Sequence, residues 1–444
     1  SVILEGGVVK TDATGTANYY LPARAHDYAF TLAKAGYTTE LATVNLSTGV
    51  TVMRDITLRK ADITLTYTVG ANGILVGHPI QKVAKGADGE RIEAVAKPGF
   101  VFTKWNDGRT DNPRVDTNVQ APITAEALFE PATFTITYEI EEGGMLGTGT
   151  AIQSNIAYDG SGTEVTVRAK DGYFFKCWSD GNDAATRKEE HVKGNITVKA
   201  LFAPLQPIMH SNDFETGSLS NGWYTLGSGD FPITWDVTNL LQSGNRSMKD
   251  GYFAVATSAN SGNKIATGTL YSPGLRLDGS TDDLVVSFGY IFVSTWGSTT
   301  AKFSLEYRVD AGDWVKLDGS IASKVLPTYP ALKTVPNSAL AGKKNIQFRW
   351  TYSDKDAVYA MLDNIVIAKK SATKLKVKYA ANPDGAGTFK KLGTTPITEL
   401  EVEQGKAPDK VTVAANAGYT FLRWANGETK DVLEIKRPVF EDKT

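Results

Sequence analysis

A single cysteine in 444 residues, Cys177, excludes any disulfide within the chain. Whatever domains form must therefore hold by their own cores, which domains larger than about 50 residues can do. Long apolar runs are missing too, and nothing approaches the ~20 residues of a membrane-spanning helix. An excess of either charge is absent: 47 Lys and Arg face 49 Asp and Glu, for a net −2. Nucleic acid or an anionic membrane surface would call for a concentrated basic face, so neither is expected as a partner. The four histidines, His26, His78, His191 and His210, never stand four apart, which removes the His-Glu-x-x-His zinc signature. There is no Gly-x-Ser-x-Gly elbow and no Walker-type or dinucleotide glycine loop. The chain is read as non-catalytic, because function must be argued from a site and no catalytic one is visible. It opens at Ser1-Val2-Ile3-Leu4 without a signal segment; if the protein is exported, that segment is expected outside this sequence.

What is present has the composition of a folded protein, 41% hydrophobic and 22% charged, at a length that suggests about three domains. Internal repetition raises the number to five. Gly99-Phe100-Val101-Phe102-Thr103-Lys104-Trp105-Asn106-Asp107-Gly108 returns as Gly172-Tyr173-Phe174-Phe175-Lys176-Cys177-Trp178-Ser179-Asp180-Gly181. It returns again as Gly418-Tyr419-Thr420-Phe421-Leu422-Arg423-Trp424-Ala425-Asn426-Gly427. Each copy follows an alternating strand, Ile63 to Tyr67, Phe134 to Tyr138 and Leu375 to Tyr379, whose period of two marks a half-buried strand. The first two close on Ile123 to Phe129 and Ile196 to Phe202. This pattern resembles the Listeria–Bacteroides repeat, or internalin B-repeat. The resemblance implies β-grasp-like domains over 61–131, 132–204 and 372–444, with short helices possible and no catalytic residues. Such repeats build stalks or adhesive regions of bacterial surface proteins.

Residues 1–60 place Thr11-Asp12-Ala13-Thr14-Gly15 before an aromatic strand and resemble a carboxypeptidase-regulatory-like or Cna-B-like sandwich. Residues 208–370 open with Asp213-Phe214-Glu215-Thr216-Gly217 and Gly222-Trp223 and continue through Tyr271-Ser272-Pro273-Gly274. A hairpin then runs from Phe303 to Val309, turns at Asp310-Ala311-Gly312-Asp313 and returns through Trp314 to Leu317. The block ends on Met361 to Ile367. In this order the landmarks are similar to the jelly-roll domains that include the cleaved-adhesin domains of gingipain-type proteins and MAM-like modules. The fold class expected is all-β, a multidomain array of Ig-like sandwich, β-grasp-like repeats and jelly roll.

Three sets of residues are singled out. Trp105, Trp178 and Trp424 are read as core anchors beside Phe102, Phe175 and Phe421 rather than sugar-stacking platforms, because they recur in every copy. Cys177 takes the slot of Lys104 and Arg423 and is expected to be a partly exposed, unreactive thiol. Trp296, in a Gly/Ser/Thr-rich stretch, is the candidate ligand-binding residue, the alternative being a loop Trp folded back on the sandwich. Asp213 and Glu215 share one face of an extended strand, and hard carboxylate oxygens suit Ca²⁺. The jelly-roll resemblance implies a structural calcium there, with Glu215 and Asp363 as ligands and Asp213 as the third; the alternative is a strand with solvated acids.

The function expected is adhesion or binding to an extracellular protein or glycan, from a secreted or cell-surface position. The alternative is the accessory binding region of a secreted hydrolase, a peptidase, whose catalytic domain lies outside the chain. The last repeat halts before its closing strand and Ser1 falls within a sandwich. The expectation is therefore of a longer polypeptide, or of partner segments that complete the ends by strand addition.

Overall fold

The computed structural model describes residues 2–4, 7–18, 21, 24–46, 56–239, 252–258, 261, 264–279, 282–293, 301–355, 359–391, 396–434 and 439–441. They are nearly all β, and the one helix among them is the four-residue Asn337–Leu340. The chain divides into two compact units. One is Ser1–Ile136, Gln153–Gly162 and Glu189–Ile196; the other is Thr137–Ile152, Thr163–Lys188 and Thr197–Thr444.

Near the N-terminus the sheet order is Gly7–Val9, Val2–Leu4, Arg24–Leu32, Glu40–Leu46. The turn after Gly7–Val9 forms for a local reason. The Asp12 carboxylate accepts from the backbone N–H of Thr14 and Thr16, both at 2.9 Å, and Gly15 supplies the positive φ.

The first repeat is a four-stranded mixed sheet in the order Ile80–Ala84, Asp62–Val69, Ile123–Pro131, Phe100–Trp105. Its central pair is parallel, with Ile123 beside Leu65. Ile63, Leu65 and Tyr67 face the core while the alternate threonines do not, as the period of two requires. The second repeat has the same order, Ile152–Ala157, Thr133–Ile140, Ile196–Pro204, Tyr173–Trp178. The short helices held possible for a β-grasp are not found among the described residues of either copy. In the first copy a small sheet of Gly73–Val76 and Glu93–Ala96 supplies Leu75 and Ala94 to the core instead. A glycine makes this packing possible, because a Cβ at Gly73 would collide with the Phe129 ring, and one at Gly144 with the Phe202 ring.

Trp105 and Trp178 are fully buried, at 0% exposure. Each stands edge-on to its phenylalanine, Phe102 at 5.8 Å and Phe175 at 6.1 Å between ring centroids. The third copy corrects the expectation for Trp424, which is half-buried beside a half-buried Phe421. Its local turn is identical to the others: each indole Nε1 donates to the carbonyl six residues on, Asp111, Ala184 or Lys430. What differs is the sheet. Leu375–Lys378 pairs with Glu399–Val402, and among the described residues no closing strand lies along its other edge. Leu422 is 80% exposed.

Residues 210–369 form a two-sheet sandwich. One sheet runs Asp236–Thr238, Phe253–Thr257, Tyr359–Lys369, Leu284–Val293, Lys324–Val335. The other runs Tyr224–Ser228, Ala266–Tyr271, Asn345–Asp354, Lys302–Val309, Val315–Asp318. Phe288, Phe303, Leu305, Phe348, Trp350 and Leu362 fill the space between them.

Candidate ligand-binding cleft on the sandwich

The residues that alternate with that core face outward from the second sheet, and register places them in rows across its strands. Ser304 lies beside Thr351, and Thr351 beside Thr269. Lys302 lies beside Ser353, and Ser353 beside Thr267. Neighbouring hydroxyls bond across the strands, Thr269 to Thr351 at 3.1 Å and Thr267 to Ser353 at 3.0 Å. The third row, Glu306, Arg349, Tyr271 and Tyr224, ends the hydroxyl floor. A cleft of about 480 Å³ opens over this floor, bounded by Gly181, Asn182 and Asp183 of the second repeat and by Lys302 and Lys316 of the sandwich.

The second repeat is fixed there by charge and aromatic packing. A bulge between Phe175 and Cys177 leaves Lys176 out of register with the closing strand, as an extra residue does. The Tyr224 hydroxyl donates to the freed Lys176 carbonyl at 3.1 Å, and the Lys176 ammonium lies 4.5 Å from the Tyr224 ring centre. Arg308, 3% exposed, donates to the carbonyls of Phe175 at 2.8 Å and Asp183 at 2.6 Å, and to Gln347 Oε1 at 3.0 Å. Burial pulls its guanidinium below the ordinary arginine value, and the Asp183 charge opposes that pull. The Asp183 carboxylate accepts from Arg349 and from the Tyr271 hydroxyl, each at 2.8 Å. Phe174 packs against Tyr224 and Tyr271, which stack 4.7 Å apart.

This docking corrects the reading of Cys177. Its thiol is 3% exposed, and burial pushes its pKa up. The slot that holds the solvent-exposed Lys104 in the first repeat is covered in the second because the sandwich packs over that face.

The residues singled out from sequence fare differently. Trp296 lies outside the described residues. Asp213 and Asp363 come from adjoining elements, since Asn212 pairs with Ile365. Asp363 is 1% exposed and accepts from the backbone N–H and side-chain amide of Asn364, at 2.7 and 2.8 Å. Asp213 accepts from the Glu215 N–H at 3.3 Å, and Glu215 is exposed. Among the described residues, no group of three His, Cys, Asp or Glu side chains is gathered to hold a metal ion.

The residues of the cleft went unnoticed in the sequence, although a signal was there. Where the copies of the repeat disagree, Lys104 against Cys177 is an outward position that has turned apolar, and Val101 against Phe174 is one where the apolar side chain has grown. That is what a docking face requires.

Comparison with known proteins places the repeats. Residues 63–133 and 134–206 match the divergent InlB B-repeat domain. These are the first two of the three copies, each built on a buried Trp and the same strand order. No curated protein matches the chain. Among solved structures, the K1 cleaved adhesin domain of Lys-gingipain from Porphyromonas gingivalis W83 is 17% identical. The match covers 37% of this chain and 99% of that one, with a TM-score of 0.28. A CBM61 module solved with β-1,4-galactotriose is 12% identical, over 36% of this chain and 94% of that one, with a TM-score of 0.26. The CBM22-1 xylan-binding domain of Paenibacillus barcinonensis Xyn10C is 15% identical, over 37% and 96%, with a TM-score of 0.23.

Proposed function

We propose that the chain is a non-catalytic bacterial binding protein, an adhesin of secreted or cell-surface placement, and that the outer face of the sandwich holds a glycan. The observation that carries this reading is the hydroxyl floor of Ser304, Thr351 and Thr269 beneath a cleft of about 480 Å³. A hydroxyl both donates and accepts, so a row of them matches a polyol along its length. A peptide is the poorer fit. It binds by extending a free sheet edge or by filling apolar pockets, and the floor strands already pair on both sides. The cleft carboxylates, Glu306 and Asp183, both accept from Arg349, so they brace the wall and do not form a free acid–base pair. A binding region accessory to a hydrolase would use the same cleft.

The test is a glycan array probed with the full chain and with Thr351→Trp, whose indole would fill the floor from an outward position. Wild-type binding lost in the variant, with the melting curve unchanged, is the expected result. Ser304→Tyr serves as the second blocking variant if Thr351→Trp is poorly folded. Undiminished binding by a folded blocking variant would overturn the assignment.

A structural calcium belongs to the same proposal as its second part, with Asp363, Asp213 and Glu215 as ligands. What supports it is the buried Asp363 carboxylate beside the strand that leads into Asp213. Because Glu215 is exposed, the ion would have to draw that side chain inward. Calcium added to chelator-treated protein should then raise the melting temperature of the sandwich, since a ligand bound by the folded state alone stabilises it. An unchanged curve would remove the calcium site.

A further inference from the structure

Resting on the reading of the cleft as a glycan site, we infer that its ligand is an acidic saccharide, one whose carboxylate or sulfate meets Lys302 and Lys316. Three cations line the cleft, Arg349, Lys302 and Lys316, together with two anions, Glu306 and Asp183. Arg349 is already spent: it bonds Glu306 at 2.7 Å and Asp183 at 2.8 Å, and its guanidinium sits 4.3 Å from the Trp314 ring centre. That arrangement neutralises both anions. The burial that would lower the Arg349 pKa is outweighed by Glu306 and Asp183, which leave it raised.

Lys302 and Lys316 remain. Both are exposed at the rim, and among the described residues neither takes part in an ion pair. Lys302 heads the row that continues into Ser353 and Thr267. Lys316 stands across from Glu306 on the neighbouring strand, while Glu306 turns to Arg349. The cleft thus offers hydroxyls along its floor and two uncommitted ammonium groups at its edge, with its acids already bound. A neutral sugar would use the floor and leave both cations idle; an acidic one uses all of them.

The aromatic rings point the same way. Tyr271 is buried against Tyr224 at an interplanar angle of 2°, and Trp314 carries Arg308 and Arg349 against its ring at 4.6 and 4.3 Å. Recognition in this cleft accordingly rests on hydrogen bonds and charge, with stacking on these rings a minor part.

The experiment uses the full chain and the Lys302→Gln/Lys316→Gln pair, whose outward positions leave the core untouched, on three sets of oligosaccharides: neutral, uronic-acid-bearing and sulfated. Acidic sets should bind the wild type, the double variant should bind them about tenfold more weakly at low salt, and added salt should narrow that gap. Whichever acidic set responds identifies carboxylate or sulfate as the source. Binding confined to neutral glycans, abolished by Thr351→Trp but indifferent to the lysine pair, would overturn this inference and leave the cleft assignment standing. Binding of acidic glycans that neither the lysine pair nor Thr351→Trp alters would overturn both, as would binding of an acidic peptide in place of any saccharide.

Discussion

Alanine in place of Trp178 is expected to unfold the second repeat. The indole is fully buried, stands edge-on to Tyr138 and Phe175, and bonds the Ala184 carbonyl. Deleting a buried Trp leaves a cavity and costs about 3–5 kcal/mol. A domain of this size has little more stability than that, of order 5 kcal/mol. Trp105→Ala should act alike on the first repeat, where Arg114 also lies 5.3 Å from the ring centre. Trp424→Ala should cost much less, because the third indole is half-buried. Chemical denaturation followed by tryptophan fluorescence separates these cases. Equal and small losses at all three positions would show that the tryptophans do not anchor the repeats.

Replacing Arg308 by alanine should uncouple the second repeat from the sandwich. The guanidinium serves Phe175, Lys176, Asp183 and Gln347, so its loss strands buried carbonyl groups at about 1–3 kcal/mol each. A total of about 3–5 kcal/mol is expected, the usual cost of removing one side of a buried charged network. Lysine should not rescue it, because a single ammonium cannot reach acceptors in three directions. Calorimetry of the full chain should show the two parts melting together in the wild type and apart in the variant. Hydrogen exchange at residues 175–177 should rise in step. A single unshifted transition with unchanged exchange would mean that Arg308 carries no coupling.

Much of the fold was legible because it is local. The repeated Trp–Asp/Asn–Gly turn reads the same in all three copies, since the positive φ at Gly108, Gly181 and Gly427 and the bond to the carbonyl six residues on are set by neighbouring residues. The alternation of Ile63, Leu65 and Tyr67 foretold their common face for the same reason. The hairpin at Asp310-Ala311-Gly312 closed where its turn residues placed it. Trp424 could not be judged from the turn alone, because its burial depends on a closing strand outside the turn, which in the first two copies begins at Ile123 and Ile196. Nor could Cys177, whose cover comes from another domain. The short helices held possible for the repeats came from the family resemblance alone, and where the first copy packs Gly73 under Phe129 the chain is a strand.

The candidate site was less visible. Its floor is assembled from Thr269, Ser304 and Thr351, three residues that are individually unremarkable and become a row only through register. The wall from Asp183 required knowing that the second repeat docks beside it. Chemistry-bearing motifs are found by spacing along the chain, and a sheet face has no such spacing.

Ligand on that face of the sandwich is what a direct titration decides. The measurement is titration of the full chain with the tightest glycan from the array, wild type against Thr351→Trp. A saturable wild-type isotherm and a variant weakened by about tenfold or more, equivalent to about 1.4 kcal/mol, is the predicted result. Superimposable isotherms from two folded proteins would place the binding elsewhere and contradict it.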